Sequence, residues 1–130
     1  MRKLSLRCVA GNSACVEPWQ AELQPLAGQG RTKAIDFVRK QAMGFGTNIF
    51  DTLEFALGDK RVDTIYLLSD GLPSAGRHVD LPTITREIQG MNRRRGVTIH
   101  CVAFGEESKL LEALAKENGG QYRFVDRIEE

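Results

Sequence analysis

The most regular apolar run in the chain is Thr64-Ile65-Tyr66-Leu67-Leu68-Ser69, which ends in Asp70-Gly71. Its residues are β-branched, aromatic or aliphatic, and the run is short. It therefore predicts a strand buried on both faces, at the centre of a parallel sheet, with Leu67 fully buried. Residues 97–104, closed by Gly105, predict a second buried strand, and residues 122–125 a final one. Between these runs the apolar positions recur at helical spacing. Leu81, Ile84, Ile88 and Met91 follow a capping Asp80 with Pro82 in the first turn, and Gly96 ends that helix. Leu110, Leu111, Leu114 and Ala115 follow Ser108 and stop at the C-cap signal Asn118-Gly119-Gly120. Strand, helix, strand, helix, strand with short connections predicts a parallel sheet with right-handed crossovers.

Upstream, Ile49, Phe50, Leu53, Ala56 and Leu57 predict a helix over 49–57, capped by Thr47 or Asn48 and stopped by Gly58. Thr32 is placed to cap an earlier helix, 33–43, with Ala34, Phe37, Val38 and Gln41 on one face and Ile35 beside them. Residues 4–10 read as a strand, 11–13 as a turn and 24–30 as a loop. Residues 15–19 read as a short strand, which Pro18 confines to an edge because it has no ladder donor. Residues 128–130 read as a tail. The predicted class is α/β: one domain, 1–130, with a three-layer, doubly wound, mostly parallel, Rossmann-like sheet and a short antiparallel edge strand.

Composition narrows the function classes. A chain of 130 residues, 42% hydrophobic and 27% charged, suits one soluble core. A net charge of +1 gives no field for nucleic acid or a membrane surface, and no run of eighteen apolar residues exists to cross a bilayer. Three cysteines, Cys8, Cys15 and Cys101, are too few for a disulfide framework and lack zinc-ligand spacing. The amino terminus turns polar too quickly for a secretory signal, which points to the cytoplasm unless the chain is a fragment.

Asp70 is the first chemical candidate. It sits at the carboxyl end of a predicted strand, the edge where open α/β sheets bind ligands, although aspartate also commonly caps turns there. A hydrolase or phosphoryl-transfer enzyme using Asp70 would need a second carboxylate, base or nucleophile, and none has a clear place beside it. Gly44-x-Gly-Thr47 lacks the lysine of a phosphate loop and reads as a helix cap. His100 and Cys101 are strand neighbours on opposite faces, so they cannot pair. Cys101 reads as core and His100 as covered by a helix. His78 reads as solvated, Arg93-Arg94-Arg95 as a solvated helix end, and Trp19 as packed under the edge strand.

Three stretches together resemble one family: Gly46-Thr47-Asn48-Ile49-Phe50-Asp51-Thr52-Leu53, then Ile65-Tyr66-Leu67-Leu68-Ser69-Asp70-Gly71-Leu72-Pro73, then Val102-Ala103-Phe104-Gly105 with Leu114-Ala115 and Asn118-Gly119-Gly120. The order and spacing resemble a von Willebrand factor type A domain of the kind found in bacterial proteins, over about residues 6–125. The resemblance implies a protein-binding module, not an enzyme. It also implies a metal-ion-dependent adhesion site at the carboxyl edge of the sheet, with Thr47 and Asp70 as metal residues and Gly46, Asn48, Gly71 and Leu72 around them toward a protein partner. The family's Asp-x-Ser-x-Ser loop is absent, and residues 4–10 resemble the family's second strand, so the domain reads as truncated at its amino terminus. Mg2+ or another divalent cation would then lack its main ligands. The strands 4–10 and 64–69 would face a gap. Direct parallel pairing of the two is the first expectation. A homodimer through the gap, or complementation by an added strand, are the alternatives. A structural remnant that binds nothing is the remaining reading.

Overall fold

Local sequence and long-range packing divide the work of building this chain. The computed structural model describes residues 5–6, 9–11, 16–18, 24–25, 29–40, 47–70 and 72–126. In chain order its elements are β1 (Ser5–Leu6), β2 (Val9–Gly11), β3 (Val16–Pro18), β4 (Gln24–Pro25), α1 (Gln29–Lys40), α2 (Ile49–Leu57), β5 (Thr64–Ser69), α3 (Leu81–Asn92), β6 (Thr98–Phe104), α4 (Lys109–Glu117) and β7 (Tyr122–Val125). From residue 47 onward these are the elements that the apolar periodicities predict. The class is α/β with a parallel sheet, as expected.

β5, β6 and β7 form that sheet in the order β5-β6-β7, both pairings parallel. Leu67 lies beside Cys101, which lies beside Tyr122, so one row of side chains runs across all three strands. Ile99, Cys101 and Ala103 point to one face and are fully buried. α4 lies on β6 and β7, α3 lies against α4, and α2 against α3. Phe50, Leu53, Ile84, Ile88, Leu111 and Leu114 from these helices close over that face and make the core. Burial of Cys101 pushes its thiol up to about 12, because an apolar surround disfavours the thiolate.

The opposite face differs from the prediction. β5 is half-buried, not buried on both faces: Tyr66 is 69% exposed and Leu68 is 58% exposed. Leu67 is only half-buried. The cause is the placing of the helices: among the described residues α2, α3 and α4 all serve the other face. His100 shares the open face, half-exposed, with its ring stacked on Tyr66 at 5.0 Å. Its Nδ1 accepts a hydrogen bond from the Gln121 N–H at 3.0 Å.

The helix ends follow their sequence signals. Asn48, Asp80 and Ser108 each accept a backbone N–H three residues ahead, at 3.2, 2.9 and 3.1 Å. Thr83 also holds the Asp80 carboxyl below its ordinary value, its side chain first and its backbone N–H second. α1 begins at Gln29, ahead of the Thr32 start. The cost of Gly30 in a first turn, about 1 kcal/mol, is small enough for the residues that follow to outweigh it.

Residues 4–10 and 24–30 are corrected in detail. β1 pairs antiparallel with β4, although residues 24–30 read as a loop, and β2 pairs antiparallel with β3. Direct pairing of residues 4–10 with β5 is not seen among the described residues. Antiparallel partners about five residues on for β2 and about eighteen on for β1 close shorter loops than one some fifty residues on, which favours the local pairing. β2 and β3 rest on α2. Trp19, Cys8 and Cys15, Gly44-Phe45-Gly46 and residues 128–130 lie outside the described residues. Among those described, no helix is long and apolar enough to cross a membrane.

Candidate functional site

Residues 74–75, in the loop after β5, and the amino end of α2 meet through backbone hydrogen bonds. The Ser74 and Ala75 N–H groups donate to the Thr47 carbonyl at 2.9 and 3.2 Å. The Thr47 N–H returns a bond to Ser74 Oγ at 3.0 Å. The loop that follows Asp70 is thus fastened to the residue that precedes the α2 cap. Asn48 is the cap: its Oδ1 accepts from the Asp51 N–H, and its Nδ2 donates to Asp51 Oδ2, both at 3.2 Å. Thr52 Oγ1 donates to the Asn48 carbonyl at 2.6 Å.

Gly76 makes the approach of the two segments feasible. Its φ is +96°, and a Cβ there would stand 2.2 Å from Asn48 Oδ1. Any side chain would collide with the cap or push the loop away. Beyond it, Arg77 donates from its backbone N–H and from Nε to Asp51 Oδ1, each at 3.5 Å, and pairs with Glu54 through Nη2. The guanidinium carbon lies 5.1 Å from the centre of the Phe50 ring. His78 meets the same ring edge-on at 4.5 Å. His78 is therefore packed against Phe50, not solvated. The Glu54 hydrogen bond, first among the causes, holds Arg77 above its ordinary value, so it stays a cation.

The expected site residues are placed as follows. Thr47 is half-buried and Asn48 buried. Asp70 is exposed, and Leu72 is 73% exposed. Gly46 and Gly71 lie outside the described residues. The structure joins Thr47 and Asn48 to the segment 74–78. Sequence reading missed Ser74, Gly76 and Arg77, and their contacts with Thr47, Asn48 and Asp51 span 26 to 28 residues. No local periodicity reports pairs so far apart. The Gly76-Arg77 step after a strand end was the available signal.

The opposite, amino edge of the sheet also holds polar side chains, but their atoms are committed to the fold. Asn92 bridges the Val97 backbone, donating to its carbonyl at 2.6 Å and accepting from its N–H at 2.8 Å, and it donates to Asn118 at 2.9 Å. Arg95, expected in solvent, instead donates to the carbonyls of Leu57, Asp59 and Val62. It satisfies orphan carbonyls at the end of α2 and leads the chain into β5. A cleft of ≈ 410 Å³ beside these residues is lined by Gln89, Arg93, Thr98 and Glu117 among others.

Two comparisons with known proteins bear on the family. The sequence pattern of the von Willebrand factor type A domain matches residues 6–124. A human protein, von Willebrand factor A domain-containing protein 3B, is 27% identical over 112 residues. The match takes in 83% of this chain and 8% of that protein, so the chain spans a small part of its relative's length. With the family's pattern matched across nearly its whole length, on an α/β domain with a parallel sheet, this chain belongs to the von Willebrand factor type A domain family.

Proposed function

We propose that the domain is a protein-binding module that engages its partner at the carboxyl edge of the sheet, through Leu72, Asp70 and the backbone around Thr47, Asn48, Gly46 and Gly71. The observation that supports this reading is the bonding of Thr47 to Ser74 and Ala75, which makes two loops one rigid surface with Leu72 standing out of it. Val79 and Leu81, further along the same segment, are exposed as well. Buried apolar anchors ringed by polar groups dominate protein interfaces. The role proposed is binding, not catalysis. Among the described residues the nearby carboxylate, Asp51, is engaged by Asn48 and Arg77 and is not available as a base or nucleophile.

The donor set does not fit a tightly held magnesium ion. Magnesium takes six oxygens at about 2.1 Å, usually anchored by carboxylates and retained waters. Thr47 offers a neutral hydroxyl and Asp70 a single carboxylate. Among the described residues no three His, Cys, Asp or Glu side chains come together as a cation site. Partner binding at this edge is accordingly proposed to run on apolar and hydrogen-bond contacts, without a resident cation.

The test uses peptides selected against the whole chain from a displayed random library. Leu72→Ser should weaken them about tenfold or more, the scale of an interface anchor, while leaving urea unfolding unchanged. Selected peptides that ignore both Leu72→Ser and Asp70→Asn would overturn the reading.

A further inference from the structure

Asn118-Gly119 is the only Asn-Gly pair in the chain. Asn118 is the C-cap of α4. Gly119 follows at a φ of +72°, where a side chain would be strained, so the helix end selects glycine. The same pairing is chemically vulnerable. With no side chain on Gly119 to shield it, its backbone nitrogen can attack the carbonyl carbon of the Asn118 side chain. The folded geometry holds that reaction off. A ψ of 27° at Asn118 turns the Gly119 nitrogen to the side of the Cα–C bond away from Cβ. The side chain is tied back at both ends: Nδ2 donates to the Leu114 carbonyl at 2.8 Å, and Oδ1 accepts from Asn92 Nδ2 at 2.9 Å. Asn118 is only 8% exposed. Its backbone is committed as well. The Ile99 N–H donates to the Asn118 carbonyl, and the Asn118 N–H donates to the Ala115 carbonyl, both at 3.3 Å.

We propose that Asn118-Gly119 is a self-modifying site, gated by local opening where the ends of α3 and α4 meet the start of β6, and that its reaction turns a transient opening into a lasting one. Opening releases the bonds from Asn92, Leu114 and Ile99 and frees ψ at Asn118. The Gly119 nitrogen then loses its proton to hydroxide and bonds to Asn118 Cγ. The Cγ–Nδ2 bond breaks, and the side-chain nitrogen leaves as ammonia with a proton from water. Water next opens the resulting five-membered imide at one of its two carbonyls, giving aspartate or isoaspartate. Neither product suits the closed junction. A carboxylate at 118 still accepts from Asn92 but has no hydrogen to give the Leu114 carbonyl, and its charge faces that oxygen. Isoaspartate also adds one carbon to the main chain, and there is no slack for it: a Cβ on Gly120 would stand 1.8 Å from the Ile99 carbonyl oxygen. This site lies at the amino edge of the sheet and does not rest on the carboxyl-edge reading.

The test incubates the whole chain at mildly alkaline pH in a series of urea concentrations below its unfolding midpoint. Peptide mapping counts aspartate and isoaspartate at 118, and hydrogen exchange is read at the Ile99 amide in parallel. A synthetic peptide covering residues 112–124 gives the unguarded rate. The native chain should convert about tenfold or more slowly than the peptide, and the slowing should match the exchange protection of Ile99 within about threefold at every urea concentration. Asn92→Ala should speed conversion about tenfold, the scale of one lost buried hydrogen-bond partner, and the urea series tests the same gate in the unaltered chain. Asn118→Asp, which is the aspartate product itself, should unfold at lower urea and exchange faster at Ile99. A native chain that converts as fast as the peptide would overturn the proposal. So would conversion that ignores urea while exchange at Ile99 quickens, or an Asn118→Asp chain as well protected at Ile99 as its parent.

Discussion

At the scale of single residues, the cap of α2 shows what spacing could and could not decide. Thr47 and Asn48 were both chemically suited to it, and nothing local separated them. The fold chooses Asn48, because the Thr47 backbone is drawn into bonds with Ser74 and Ala75 from a loop 27 residues away. Asn48→Ala should therefore cost about 1 kcal/mol or more in urea unfolding, and Thr47→Ala less than about 0.5 kcal/mol. A reversed ranking would return the cap to Thr47. The same long-range logic corrects Leu67. Its neighbours in sequence are as apolar as those of Ile99, yet Ile99 is fully buried and Leu67 half-buried. Ile99→Ala should cost about 2–5 kcal/mol, and Leu67→Ala clearly less. Equal losses would mean that β5 is covered on both faces after all.

At the scale of elements, every helix and strand after residue 47 was legible, because periodicity and caps are local signals that tertiary packing here reinforces. Ile49–Leu57, with Asn48 ahead and Gly58 behind, agrees residue for residue. The partner of each strand was less legible. Residues 24–25 carry no strand signature, and only the backbone of β1 makes them one. α3 offers a pH test of its cap. Thr83 lowers the Asp80 carboxyl from its ordinary 3.8, so the folded state prefers the ionised form. That contribution is present above 3.8 and is lost as pH falls through the lower folded value. Urea midpoints of the native chain and of Asp80→Ala should differ at neutral pH and converge well below 3.8. A gap that persists unchanged in acid would show that Asp80 does not cap through its charge.

At the scale of the whole molecule, the α/β class, the parallel sheet and the family were legible, and the exposure of one face of β5 was not. An apolar run of six predicts burial on both faces only when strands and helices exist to cover both, and that depends on neighbours outside the run. β5 has the composition of a strand covered on both faces, yet Tyr66 and Leu68 stand in the open. The candidate site was half legible. Thr47, Asn48, Asp70 and Leu72 were found through motif resemblance. Gly76 and Arg77, which hold the surface together, were not found, since their reasons lie in contacts with Asn48, Asp51 and Glu54.

The central claim is that this domain binds a protein partner at the carboxyl edge without a resident cation. The most direct test is the hydrogen-exchange footprint of a library-selected peptide on the whole chain, measured once in excess magnesium and once in chelator. The account predicts slowed exchange at 47–48 and 72–76 in both conditions, with affinities that agree within about twofold, since a cation that binds neither state differently shifts nothing. A footprint away from those residues, or one that disappears in chelator, would contradict it.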